Sequence, residues 1–365
     1  MRVAITASNT QKFTKNTNFT LAEIASRSII NLLFDSRIQR SEIDGIIVSS
    51  SSFEPYLSNI ISEMVGLKPK FSTKVENLCN SGTSGILLAY SLIQSEVCNA
   101  VLVTGVEKQD SPGNKLNWDI TRGIFDMPVH WASLYASNHF RKYGTSIEDL
   151  ALISFKNHRN ANKNPNAIFF YKYFTLSQIM DAEIVVSPLK KFDCCYPCEG
   201  ASSILLVSEK LAQRFEHPIW IIGISQNNQG ASFGSVTNSL DSIISTKLAA
   251  KDAFHQADLS PSDIDIAELH DAFSILEIMA YEDIGFANKG DGKKMIRDNL
   301  LSTNTRGGLL GCGHPIGATG IDQTTEITVQ LQGLAKQRQI NNVKTGLVHN
   351  MAAAGTSTTI IILRN

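Results

Sequence analysis

The stretch that decides the fold is 20–51, TLAEIASRSIINLLFDSRIQRSEIDGIIVSSS, because its plan returns at 246–273, TKLAAKDAFHQADLSPSDIDIAELHDAF. In the first copy Leu21, Ile24, Ala25, Ile29, Leu32 and Leu33 fall at helical spacing. An acidic turn then runs into a β-branched strand from Gly45 to Val48. The second copy repeats helix, acidic turn with Ile-Asp, and strand. Each copy also continues alike. NLCNSGTSGILLAYSLIQS (77–95) and GGLLGCGHPIGATGIDQTTEITVQLQG (307–333) are small-residue turns entering helices, and the strands NAVLVTGVE (99–107) and KTGLVHNMAAAG (344–355) follow them. ASSILLVS (201–208) and TSTTIIILRN (356–365) close the two copies as strands. Alternating strands and helices define an α/β architecture, here two pseudo-symmetric α/β halves, 1–215 and 216–365. The segment 109–190 has no counterpart in the second half. It is expected to be an inserted region of loops and short helices covering the mouth of a site.

A chain of 365 residues with 43% apolar and 18% charged residues can bury a large core and is not intrinsically disordered. Thirty-three basic against thirty-four acidic side chains leave a net charge of -1, with no bulk attraction to nucleic acid or to acidic membranes. The opening MRVAITASNT alternates like a strand rather than a signal peptide, and no apolar run is long enough to span a bilayer. Six unevenly placed cysteines do not form a disulfide framework, so a reducing cytoplasm is expected.

Cys79, in VENLCNSGTSG, is delivered by a strand to a small-residue turn before a helix. Free N–H groups and the helix dipole there favour thiolate, so its pKa is expected to fall; a buried structural cysteine is the alternative. His270 ends the strand IDIAELHDAF, and His314 occupies the turn GCGHPIGATG with Pro315 at the first helical position. Both sit where α/β sheets gather ligands. Cysteine plus histidine at one site is a thiol-nucleophile pattern. Cys194, Cys195 and Cys198 in DCCYPCEG lack a partnering pair and read as packing beside a strand rather than as a metal site. HRNANKNPN reads as a polar loop with Lys156 and His158 near substrate, and KGDGKK (289–294) as a solvated loop.

The pieces NLCNSG, ELHDAF, NTRGGLLGCGHPIGATG and HNMAAAG, with KNHRNANKNPNA (156–167), resemble the thiolase superfamily over nearly the whole chain. The HDAF form followed by YEDIGF is most similar to archaeal acetyl-CoA acetyltransferases and sterol-carrier-protein-type thiolases. The resemblance implies a thiolase-like fold of five layers, αβαβα, and an acyl-CoA C-acyltransferase. In it Cys79 carries the acyl group as a thioester, His314 activates Cys79, and His270 helps bind a thioester oxygen. The Cys79 N–H and a group from the HNMAAAG turn, Gly355 with Asn350 near it, would form a second oxyanion hole, and His130 would lie near the acyl pocket. Coenzyme A thioester is then a substrate, with no cofactor and no metal. Expected partners are a second or further copies in a homodimer or homotetramer, an OB-fold, zinc-ribbon protein and an HMG-CoA synthase-like enzyme. The family's second acid/base cysteine is missing from both usual places, since Ala272 stands in ELHDAF and HNMAAAG has no thiol. Cys312 is the substitute the sequence offers. A decarboxylating ketoacyl synthase, which needs Cys, His and His alone, and a non-catalytic thiolase-like subunit remain alternatives.

Overall fold

The computed structural model describes residues 1–365 except 110–118, 120, 122, 126, 237 and 238. The first half contributes strands β1 (Val3–Thr10), β2 (Gly45–Ser49), β3 (Phe71–Val75) and β4 (Ala100–Glu107). A small hairpin of β5 (Ile184–Val186) and β6 (Leu189–Lys190) precedes β7 (Gly200–Ser208). The second half contributes β8 (Ile219–Asn228), β9 (Ile266–Glu268), β10 (Ser302–Thr303), β11 (Thr345–Ala352) and β12 (Ser357–Arg364).

The strand order β10-β9-β11-β12-β8-β1-β7-β4-β2-β3 is a palindrome of roles. Read outward from the β8–β1 junction, each half runs in one order: β1, β7, β4, β2, β3 against β8, β12, β11, β9, β10. The junction is only two residue pairs long, Ala4 with Trp220 and Ile5 with Ile219. The repeat at 20–51 and 246–273 is therefore a repeat of place in the sheet. The helix Leu21–Ser36 covers the outer face of β1, β4 and β7, and Ile244–Ala257 covers β8 and β12. Ser81–Gln94 and Ile316–Leu331 pack on each other and on strands of both halves, which makes the middle layer. Helix, sheet, helix pair, sheet and helix give the five layers.

Local chemistry explains these elements. Thr20 caps the first helix by accepting from the Glu23 N–H at 3.2 Å, and Glu23 accepts from the Thr20 N–H at 2.7 Å. The middle helices approach closely because small residues face each other. A Cβ on Gly82 would meet the Ile321 nitrogen at 3.0 Å, and one on Gly320 would meet Thr83 at 2.8 Å. That contact draws the starts of the two helices, with Cys79 and His314 just before them, to one place.

The inserted region differs from the expectation of short helices. Pro128–Tyr143 and Ile147–Ala161 span 16 and 15 residues. The second has a capping box between Ser146 and Asp149, and its buried face of Leu150, Ile153, Ser154, Asn157 and Ala161 follows helical spacing. Part of the proposed insertion, 110–118 with 120, 122 and 126, lies outside the described residues. All six cysteines are free thiols. Among the described residues no helix is long and apolar enough to cross a membrane.

Candidate active site

Cys79 lies in the single turn Leu78–Asn80, immediately before the helix Ser81–Gln94. Leu78 adopts φ 46°, a left-handed conformation that costs a branched side chain strain and turns the chain sharply into the helix. His314 precedes the helix Ile316–Leu331 of the other half, with Pro315 one position earlier than expected, at the N-cap. Its Nε2 is 3.3 Å from Cys79 Sγ. His270 lies two residues beyond β9, its ring centroid 5.4 Å from that of His314 and nearly perpendicular to it. One ligand-capable atom of each of Cys79, His270 and His314 falls within 4.8 Å of the others. Among the described residues, these three are also the group that could hold a metal ion. The cavity they share has a volume of about 230 Å³, and its walls are chiefly apolar: Val129, Trp131, Val185, Phe273, Ile316 and Pro197 contribute.

The hydrogen bonds assign opposite roles to the two imidazoles. The Thr319 hydroxyl donates to the Pro315 carbonyl at 3.3 Å, so its oxygen accepts from His314 Nδ1 at 2.7 Å. His314 Nε2 therefore turns a lone pair to the Cys79 thiol. Asn350 Nδ2 is 3.1 Å from His270 Nδ1. That amide is oriented by its bond to Gln323 Oε1 at 3.0 Å and by the Thr83 hydroxyl, 3.2 Å from Asn350 Oδ1. His270 Nδ1 is thus an acceptor, and Nε2 carries the hydrogen. His349 Nδ1 accepts the His270 backbone N–H at 3.3 Å and holds that turn in place.

Burial is the largest influence on the charge state of the pair. Removal from water pushes the Cys79 thiol up to about 12, partly offset by its bond to the Ala353 N–H. Burial, with Arg306 adding to it, depresses His314 to about 3. The resting pair is thiol and neutral imidazole, and the expected fall in the Cys79 pKa is corrected. Burial likewise drives His270 well below the ordinary histidine range.

A scaffold of buried charge holds the two histidine turns together. Asp271 accepts from the Leu309 N–H at 2.7 Å and from Asn157 Nδ2 at 2.7 Å. Arg306 bonds Glu268 Oε2 at 3.1 Å and Asp322 Oδ2 at 2.5 Å, linking the end of β9 to the helix behind His314.

Other expected site residues fall elsewhere. Gly355 gives its N–H to the Ala352 carbonyl at 3.0 Å, so it is a turn residue. The N–H groups that reach Cys79 Sγ belong to Ala353 and to Cys79 itself. Ala353 has φ 47°. Asn350 sits behind His270 rather than on the cavity wall. His130 lines a neighbouring cavity with Phe125 and Leu134, not the one holding Cys79. Cys312 is fully buried, 3.6 Å from Asn164 Nδ2, in a cluster with Phe13, Ala161, Ala167 and Cys198. It faces away from the cavity, so it cannot replace the missing thiol. Lys156 and His158 lie in the helix Ile147–Ala161, where Lys156 pairs with the buried Glu277 and His158 packs against Phe169, Phe174 and Phe192. Cys194 and Cys195, read from sequence as packing, line the cavity.

A sheet of this symmetry with a Cys–His–His cluster between its halves is that of a thiolase-fold acyltransferase. The Thiolase, N-terminal domain family matches residues 3–187 and the Thiolase C-terminal domain-like family matches 231–365, so the chain belongs to the thiolase family. It is 30% identical to the acetyl-CoA acetyltransferase of Methanothermobacter thermautotrophicus over 99% of this chain and 98% of that protein. It is 31% identical to sterol carrier protein 2 of Oryctolagus cuniculus over 78% of this chain, a match spanning 56% of that longer protein. The solved structure described as "Ltp2-ChsH2(DUF35) aldolase" has the same fold, with a TM-score of 0.89 at 24% identity over 100% of this chain and 97% of that one. The protein is a thiolase-type acyltransferase.

Proposed function

We propose that Cys79 carries the acyl group of an acyl-CoA as a thioester and passes it to a carbon acceptor. The observation that carries this reading is the 3.3 Å contact between His314 Nε2 and Cys79 Sγ, with the imidazole lone pair turned to the thiol. As Sγ attacks the thioester carbonyl, its proton moves to Nε2. The thioester oxygen develops negative charge opposite backbone N–H donors of Cys79 and Ala353, and the CoA thiolate leaves with the proton from His314. His270 Nε2–H is the donor for the oxygen of the second substrate. The apolar cavity takes the acyl chain. Coenzyme A thioester is a substrate in this scheme, and no bound cofactor takes part.

The assembly we propose is a cytoplasmic homodimer or homotetramer, the two halves of each chain dividing near 215. An OB-fold, zinc-ribbon protein and an HMG-CoA synthase-like enzyme are its proposed partners; a solved structure of this fold whose name joins Ltp2 to ChsH2(DUF35) supports a protein partner of some kind. Intact mass after incubation with acyl-CoAs from acetyl to octanoyl tests the chemistry. An adduct on the Cys79 peptide is expected, absent in Cys79→Ala. An adduct that persists in Cys79→Ala, or none with any acyl-CoA, removes the covalent reading.

A further inference from the structure

The chain segment Cys194–Cys198 runs between the two histidine turns and is bonded to both. The Cys195 N–H donates to the Ala272 carbonyl at 2.9 Å, and Cys194 pairs with Phe273 as an isolated bridge. On the other side the His314 N–H donates to the Tyr196 carbonyl at 2.9 Å, and Pro197 pairs with His314. Cys194, Cys195 and Pro197 line the cavity, whereas Tyr196 and Cys198 pack in the cluster behind it with Phe13 and Cys312. The Cys194 thiol is engaged with the Lys190 carbonyl at 3.6 Å. The Cys195 thiol meets no acceptor among the described residues, and it lines the same cavity as Cys79, His270 and His314.

We infer that Cys195 is the second catalytic thiol, the acid and base that moves the proton at the α-carbon of the CoA thioester. The inference rests on the acyl transfer proposed above. Forming or breaking a carbon–carbon bond next to a thioester needs a group that moves that proton. The imidazoles are committed, His314 to Cys79 and His270 to a substrate oxygen. Burial keeps the Cys195 thiol protonated at rest, which suits the acid of the cleavage direction.

In that direction Cys79 Sγ, its proton passed to His314, adds to the keto carbon of a 3-ketoacyl-CoA. The carbon–carbon bond breaks and its electron pair passes into the CoA thioester as an enolate. The α-carbon takes its proton from Cys195 Sγ. The incoming CoA thiol then gives its proton to the Cys195 thiolate and attacks acyl-Cys79. Cys79 leaves as thiolate and recovers its proton from His314. Condensation is the reverse. The thiol absent from position 272 is thus supplied by the residue hydrogen-bonded to the carbonyl of position 272.

The test compares wild type, Cys195→Ala, Cys195→Ser, and Cys195→Ala combined with Ala272→Cys. Acylation of Cys79 is followed by the CoA burst and intact mass. The carbon–carbon step is followed by thiolysis of acetoacetyl-CoA and 3-oxohexanoyl-CoA, and by deuterium uptake from D2O at the acyl α-carbon. Cys195→Ala is expected to cost thiolysis and exchange about 10²–10⁴-fold relative to any change in acylation. Ala272→Cys in that background is expected to restore at least tenfold, a rescue that a merely structural Cys195 does not predict. Thiolysis and exchange within threefold of wild type in Cys195→Ala overturn the inference and leave acyl transfer standing. Equal losses in acylation and in the carbon–carbon step, without rescue, overturn it as well. Wild-type protein that takes no acyl group removes the underlying reading, and the absent burst distinguishes that failure from the others.

Discussion

His314 Nε2 stands 3.3 Å from Cys79 Sγ although 235 residues of chain separate them. The two residues precede equivalent helices, Ile316–Leu331 and Ser81–Gln94, in the two halves. Their meeting follows from the symmetry: two related helices crossing through small residues at the centre must bring their starting turns together. The pair is neutral because the same crossing buries it. The penalty for separating charge in an apolar cavity exceeds what two N–H donors return.

The first prediction follows from that neutrality. With the Cys79 thiol held near 12, the thiolate fraction falls tenfold for each pH unit below that value. Iodoacetamide alkylation of Cys79 should therefore rise about tenfold per unit from pH 7 to 9, with no plateau. An ion pair with His314 would instead give a rate independent of pH across this range. The rate by peptide mass decides, and a flat profile removes the neutral resting pair.

The arrangement of the halves was legible because periodicity and order survive in sequence. The helix at Leu21, the strand at Gly45 and their counterparts after Thr246 are where they were expected. So were the turns bearing Cys79, His270 and His314. The inserted helices were less legible, because Trp131, Tyr135 and their neighbours are buried by elements distant in sequence. The place of Cys194 and Cys195 on the cavity wall was missed for a related reason: it depends on Ala272 and His314, which flank the segment in space but are distant from it in sequence. The direction of the Cys79 shift was misjudged because the helix start is visible in sequence and the apolar wall is not.

Acyl selectivity should depend on Ala272, whose side chain shares the wall with Trp131 and Phe273. A methylene gained or lost in an apolar pocket changes discrimination about 10–200-fold. Ala272→Leu is expected to lower kcat/KM for octanoyl-CoA at least tenfold more than for acetyl-CoA. Parallel losses across the series would mean that the acyl chain lies elsewhere.

Arg306 should be essential to stability rather than exchangeable. It is 1% exposed and joins Glu268 and Asp322, both buried. Arg306→Ala leaves two carboxylates without their cation and is expected to destabilise by about 3–5 kcal/mol. A urea titration should show a lower midpoint. Replacing all three residues with apolar ones of similar volume should recover much of the loss. A triple variant as unstable as Arg306→Ala would place the cost in packing rather than in stranded charge.

Asn350 should act through the tautomer of His270. Its amide nitrogen, 3.1 Å from His270 Nδ1, leaves the ring hydrogen on Nε2, the atom assigned to the substrate oxygen. In Asn350→Asp the carboxylate accepts at that position, so neutral His270 must carry its hydrogen on Nδ1 and turn a lone pair to the oxyanion. Loss of one such donor costs about 10²–10³ in rate, and the loss should fall on the carbon–carbon step more than on acylation of Cys79. The pH dependence then has a definite sign. Lowering the pH protonates the imidazole beside its new carboxylate and returns a hydrogen to Nε2, so the defect relative to wild type should shrink as the pH falls and grow as it rises. Thiolysis rates from pH 5.5 to 9 provide the measurement. A defect of constant size across that range, or one equal in both half-reactions, would make Asn350 a packing residue and leave the donor role of His270 without its support.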